Sequence, residues 1–264
     1  MSSRTLIGIP GDISCRPLSE ALRRSGGFEI VHDAPATLAQ RLERRALGGA
    51  LLSPIDYARN ASEYLIVPGS AVSSQSGNES IVVHFRQNVR TVKTLAVQPV
   101  SASDIILARI LLAERFDIEP RIVLVAGTLD SMLEKADAAL LAGDAALGSV
   151  QQMPEALDLV EEWIAATDLP YVHGFWCARE NGLGEAEWKT LETLADGIQE
   201  SGGETGGPSA VDIFSYDFPE NVREGIREFL RYAYYHGILP DVPDLRFFGS
   251  PAEEDEEGPL LSPN

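Results

Sequence analysis

Four stretches of the chain carry residue types and spacings that could do chemistry. The first is Gly8-Ile9-Pro10-Gly11-Asp12-Ile13-Ser14-Cys15-Arg16-Pro17-Leu18. A glycine-bearing turn from strand to helix can present backbone N–H groups to an anion. It lacks the GxGxxG spacing of a dinucleotide site, and a plain turn explains it equally well. The second is Pro99-Val100-Ser101-Ala102-Ser103-Asp104, which opens an apolar helix. Serine at a helix start is ordinarily a cap. Two hydroxyls beside the positive end of a helix could also hold a carboxylate. Asp104 would repel that anion and suits a capping partner inside the first turn. In the third stretch, Ala136–Leu147, a short apolar strand runs into Gly143-Asp144 and then a helix. That puts Asp144 at the carboxyl end of a parallel strand, where open α/β sheets bind ligands. Capping the next helix is its plainer role. The fourth stretch carries Asp158, Trp163 and Thr167–Trp176, whose aromatics read first as core.

Short β-like runs alternate with helical patterns around these stretches. Strands are expected at Thr5–Pro10, Phe28–Val31, Ala50–Leu52, Tyr64–Val67, Ser80–Phe85, Thr94–Val97, Arg121–Val125, Ala138–Leu141 and Tyr171–Ala178. Helices are expected at Pro17–Arg24 (with Ser14 as cap), Pro35–Ala46, Ser101–Arg115, Leu129–Ala136, Pro154–Ala166, Glu185–Glu200, Ala210–Tyr216 and Glu220–His236. This alternation points to an α/β protein with parallel sheets. Gly202–Gly207 is glycine-rich but is no Walker motif, and residues 250–264 read as a disordered acidic tail.

The chain has 264 residues and a net charge of −19, so its length allows one large domain or two lobes. Such acidity argues against nucleic acid and against an anionic membrane surface as partners. Five of the acids form one run, Glu253 to Glu257, but the body is acidic without them. Two distant cysteines, Cys15 and Cys177, suggest neither a disulfide scaffold nor a zinc site. The four histidines show no metal-binding spacing. No apolar run reaches membrane-spanning length. The opening MSSRTLIGIPGD has no long apolar region of a signal peptide, so a cytoplasmic protein is expected.

Taken together, the third and fourth stretches resemble the futalosine-pathway menaquinone-biosynthesis proteins, the MqnA/MqnD family, and especially its chorismate dehydratase branch. The family's DAALLIGDAAL reads here as DAALLAGDAAL, and its TGLPFVFAxW element falls within DLVEEWIAATDLPYVHGFW. Upstream, ALLSPIDYA, YLIVPG, Ser80-Ile81-Val82-Val83 and Arg109–Glu114 also match, so the resemblance spans roughly residues 5–180 in order. It implies a two-lobed type II periplasmic-binding-protein-like fold with a cleft between the lobes. Residues 1–93 with 177–264 would form one lobe and 94–176 the other. It also implies loss of water from chorismate without metal or other cofactor, in a cleft that holds a dicarboxylate. A small carboxylate is then the expected partner, and a homodimer is compatible with the fold.

The departures from the family fall at ligand-facing positions. Ser14 stands where the family has Asn, and Gln98 where it has Asp. Its SRTS motif is Ser101-Ala102-Ser103-Asp104, and a Phe is His173. The candidate reacting residues are therefore Ser14, Ser80 and His173, the last as acid or base. The candidate substrate-binding residues are Ser101, Ser103 and Asp144. Loss of the Asn and Arg equally supports a binding protein for a small organic carboxylate that does no chemistry.

Overall fold

The computed structural model describes residues 4–98, 100–199 and 210–250. The glycine-rich Gly202–Gly207 stretch and the acidic tail beyond Ser250 lie outside the described residues. The chain opens with β1 (Thr5–Ile9), a 3-10 turn (Ile13–Cys15), α1 (Arg16–Ser25), β2 (Phe28–His32), α2 (Pro35–Glu43), β3 (Gly49–Leu52), α3 (Pro54–Ala58) and β4 (Tyr64–Ser74). A middle portion holds β5 (Ile81–Phe85), β6 (Thr94–Val97), α4 (Ala102–Phe116), β7 (Arg121–Leu124), α5 (Leu129–Lys135), β8 (Ala138–Ala142), α6 (Asp144–Gln152), β9 (Ala156–Asp158) and α7 (Leu159–Thr167). The described chain closes with β10 (Tyr171–Arg179), α8 (Glu185–Glu192), α9 (Asp196–Gln199), α10 (Ala210–Ile213), β11 (Ser215–Asp217) and α11 (Glu220–Tyr235).

These strands form two sheets, ordered β11-β4-β10-β3-β1-β2 and β7-β6-β8-β5-β9. The first draws on both ends of the chain and the second on its middle, which makes the molecule two-lobed. Both sheets are mixed, which corrects the expectation of parallel ones. Helical crossovers set β1, β2 and β3 parallel, and likewise β6, β7 and β8. The strands that carry the chain between sheets enter reversed. Thus β10 is antiparallel to β3 and β4, and β5 is antiparallel to β8 and β9.

Three expected helices are cut short by tertiary contacts. Pro154–Ala166 begins instead as β9, which pairs with β5, and Asp158 then caps α7 by accepting from Val160 N and Glu161 N. Glu185–Glu200 breaks after α8, where the Leu191 carbonyl accepts from Ser70 Oγ at 2.9 Å. At this contact β4 passes so close that a Cβ on Gly69, whose φ is +93°, would fall 2.1 Å from Glu192 O. Ala210–Tyr216 stops at Ile213 because Ser215–Asp217 joins the edge of β4.

The aromatics of the fourth stretch are core. Trp163 packs edge-on against Tyr171, Phe229 and Tyr232, with ring centroids 5.6–6.4 Å apart. This cluster ties α7, β10 and α11 together. Each buried ring contributes on the order of 2 kcal/mol by removing apolar surface from water. Trp163 Nε1 keeps its hydrogen bond by donating to Pro170 O.

Candidate functional site

A cavity of about 460 Å³ opens between the two sheets. That is a size suited to a small organic molecule. One side comes from the loop after β1, the starts of the segments after β2 and β3, and Phe214. The other comes from Ser80-Ile81, Val100-Ser101, Asp104 and Ala142-Gly143, with His173 and Gly174 of β10 between them. Four of the six sequence candidates, Ser14, Ser80, Ser101 and His173, line it.

Ser14 does not cap α1. It sits in the 3-10 turn, whose cap is Asp12, because the Asp12 carboxylate accepts from Ser14 N at 3.0 Å. The Ser14 hydroxyl also donates to Asp12 Oδ1 and lies 3.5 Å from Cys15 Sγ. Burial and the Asp12 charge push the Cys15 thiol well above its ordinary range, so it is an unreactive neutral wall.

Ser80 and His173 share one network. Ser80 Oγ donates to Asn78 Oδ1 at 2.7 Å, and Asn78 Nδ2 donates to Ser74 Oγ at 2.7 Å. Ser74 Oγ in turn lies 2.7 Å from His173 Nε2. The His173 ring packs edge-on between Tyr171 and Phe214, and burial pushes its pKa down to about 3. The imidazole is therefore neutral at physiological pH. Asn78 is a residue that the sequence motifs did not single out. Its only signal was its place two residues before Ser80.

Ser101 is the N-cap of α4, and the capping partnership with Asp104 is present. Ser101 N donates to Asp104 Oδ2 at 3.3 Å, and Asp104 N donates to Ser101 Oγ at 3.1 Å. Tyr171 OH reaches Asp104 Oδ1 at 3.3 Å. Burial, with the Asp12 charge adding to it, pushes the Asp104 carboxyl up to about 7. The hydrogen bonds from Ser101 and Tyr171 act the other way and do not overcome it. Asp104 thus titrates near neutrality on the cavity wall.

The other two candidates lie off the cavity wall. Ser103 is fully buried, and its Oγ accepts from Ile55 N at 3.1 Å, satisfying a free donor at the start of α3. Asp144 is neither helix cap nor cavity wall. The cap position of α6 is Gly143, at φ +60°, and Asp144 is its first helical residue. Its half-exposed carboxylate meets Arg16 Nη2 at 3.1 Å across the cavity mouth. There the two lobes touch, and a Cβ on Gly143 would sit 3.3 Å from Asp12 Cβ.

Among the described residues no Lys or Arg lines this cavity, whereas Asp12, Asp33 and Asp104 do. No group of three or more potential metal ligands comes together among them. A hollow of about 580 Å³ on the far side of the first sheet has three arginines, Arg45, Arg179 and Arg246. Two of them are engaged within the fold. Arg179 pairs with Glu63 and donates to Glu43 O, and Arg246 donates to Ser62 O.

Known proteins agree with this architecture. A family model described as menaquinone biosynthesis matches residues 5–204. A chorismate dehydratase of Thermus thermophilus is 27% identical over 191 residues, which cover 66% of this chain and 69% of that protein. Among solved structures, protein AF1704 from Archaeoglobus fulgidus superposes with a TM-score of 0.71 at 18% identity, covering 89% of this chain and 98% of that one. The Candida albicans CA3427 gene product, described as having the generic periplasmic binding protein structural fold, gives 0.60 at 12% identity, with 92% and 93% covered. Likenesses at these identities establish the fold.

Proposed function

Because the chain belongs to the menaquinone-biosynthesis family, we propose that it is a carbon–oxygen lyase of the chorismate dehydratase type, acting on a hydroxylated ring acid held between its lobes. The observation that carries this is the convergence of Ser14, Ser80, Ser101 and His173, from separate parts of the chain, on one cavity of fitting size. Elimination breaks a ring C–H bond and a C–O bond. The C–H electron pair becomes the new ring double bond, and the hydroxyl leaves as water with a proton. Formation of an aromatic ring supplies much of the driving force, so the protein mainly positions the ring and steadies developing charge. Ser14 and Ser80 serve the reacting end. His173, offered by the sequence as acid or base, is held neutral with one N–H and one lone pair, and the burial that lowers its pKa makes it a weak base, so it suits orienting the substrate better than taking the ring proton.

The test is incubation with chorismate followed by mass spectrometry. A product lighter by one water, formed only with protein, is expected. Chorismate recovered unchanged overturns the dehydratase assignment. A second reading, a cleft that closes on a small organic acid without chemistry, draws on Ser14 and Ala102 at the family's Asn and Arg positions. It predicts a ligand that raises the melting temperature and is recovered intact.

A further inference from the structure

The carboxyl ends of the parallel strands β1, β2 and β3 meet at the cavity, the edge at which open α/β sheets take ligands. β2 ends there on His32, which pairs in register with Ile9 of β1 and lines the cavity. Arg23 of α1 does not line the cavity, but its Nη2 lies 3.1 Å from His32 Nε2. Helical side chains lean toward the helix N-terminus, and α1 starts just after the cavity residues Ser14 and Cys15. Arg23 is thus carried back toward the ring. A guanidinium can only donate, so Nε2 accepts and the ring proton sits on Nδ1. No group among the described residues takes that Nδ1–H.

The other charges at the cavity are engaged within the protein. Asp12 accepts from Ser14 N and from its hydroxyl, and Asp104 accepts from Ser101 N. Asp33 accepts from Ala34 N and pairs with Arg41 at 3.6 Å. Arg16 is paired with Asp144. Arg23 differs from these arginines. Its partner is a neutral ring, and no carboxylate pairs with it among the described residues, Glu20 one turn earlier on α1 included. An N–H on the wall with a cation behind it is the arrangement a carboxylate needs, since a hydrogen bond to an ionised acceptor is the stronger kind.

We infer that His32 binds a carboxylate of the guest through Nδ1–H, and that Arg23 is its positioning residue, fixing the tautomer and supplying the charge. This rests on the proposed function, and gives the acid group of its ring substrate a place at the β2 end of the cavity. The pair then selects ring acids over their uncharged analogues.

A matched pair of probes tests it: 3-hydroxybenzoate and 3-hydroxybenzamide, which differ by a carboxylate exchanged for an amide. Affinities are measured by calorimetric titration at low ionic strength, where an exposed charge is least screened. Wild type is expected to bind the acid at least about tenfold tighter, the ratio given by ~1.4 kcal/mol. His32→Phe removes the donor and should abolish most of that preference. Arg23→Gln removes the charge and should cut it about threefold or more, whereas Arg23→Lys, which keeps a charge and a donor, should restore it. In the His32→Phe background Arg23→Gln should add little, because Arg23 acts through the ring. Both side chains are exposed, so the variants should melt with wild type. With chorismate, His32→Phe should raise KM at least about fivefold and leave kcat within about twofold, the mark of lost ground-state binding.

Equal affinity for acid and amide in wild type, or a ratio that both His32→Phe and Arg23→Gln leave unchanged, overturns the inference. Chorismate turnover with an unchanged ratio keeps the lyase and sinks the inference. An acid preference that the variants lose, without turnover in wild type, keeps the inference and sinks the lyase. Binding of neither probe by wild type overturns the inference together with the site.

Discussion

Replacing Asp104 by asparagine should stabilise the protein, and the gain should grow with pH. In the unfolded chain this carboxyl ionises at the ordinary value of 3.8, whereas in the fold burial raises it to about 7. Between those values the unfolded chain has released a proton that the folded chain still holds. Raising the pH therefore favours unfolding, and the penalty is complete above about 7. A shift of roughly three units is on the order of 4 kcal/mol, at about 1.4 kcal/mol per unit. About 2–3 kcal/mol of that accrues between about pH 5 and pH 8. The charged and titratable groups around Asp104, namely Asp12 across the cavity and Tyr171 and His173 on β10, are common to both proteins and largely cancel in the difference. Asparagine can still accept from Ser101 N, so the cap survives and the two proteins should be closest in acid. Urea unfolding of both proteins at the two pH values reads the difference directly. A stability gap that is the same at both would refute the account of Asp104 as a carboxylate held in a site that disfavours its charge.

Ser80→Ala removes one hydrogen bond, to Asn78, and should cost about 1 kcal/mol of stability. If Ser80 serves the reacting end, turnover of the active substrate should fall at least about tenfold, a larger loss than stability accounts for. Wild-type turnover in that variant would remove Ser80 from the site. His173→Phe should protect the fold in acid. The buried imidazole, near 3 in the fold against 6.5 free, makes the unfolded chain the better proton binder as pH falls below 6.5. The variant's advantage should therefore widen from neutrality down to about pH 4, by on the order of 2 kcal/mol after allowance for the ring's opening to the cavity. Parallel acid-unfolding curves of the two proteins would contradict this.

The alternation of β-like and helical patterns carried the α/β class, because the switch between apolar periods of two and 3.6 is local. Strand direction is not local. Nothing within Tyr64–Ser74 or Tyr171–Arg179 marks them as antiparallel partners, and β4 runs well past its apolar start on buried Ser70, Ser73 and Ser74. The break after Glu192 came from a strand passing against the helix end, which no helical pattern contains. Of the cavity's residues, Ser14 and Ser101 were legible by residue type and position, whereas Ser80 and His173 were singled out only through the family resemblance. Ser103 and Asp144 were not separable from them, since hydroxyls and carboxylates at element ends look alike until their partners are known. Asp104 was recognisable as a capping residue. Its place on the cavity wall and the burial that raises its pKa come from packing against elements distant in sequence, with Asp12 adding to the shift and Tyr171 opposing it.

The order of strands in the first sheet has a consequence for synthesis. β10 lies between β4 and β3, and it is made only after every strand of the second sheet. Until it emerges, the β2-β1-β3 block and β4 have no hydrogen bonds to each other. The N-terminal strands are thus translated first and completed last, with the apolar edges of β3 and β4 open throughout. Long-range pairing of this kind slows folding and lengthens exposure to aggregation. A ribosome stalled before Tyr171 would hold a chain whose second sheet has all its strands and whose first sheet lacks the strand that joins its halves.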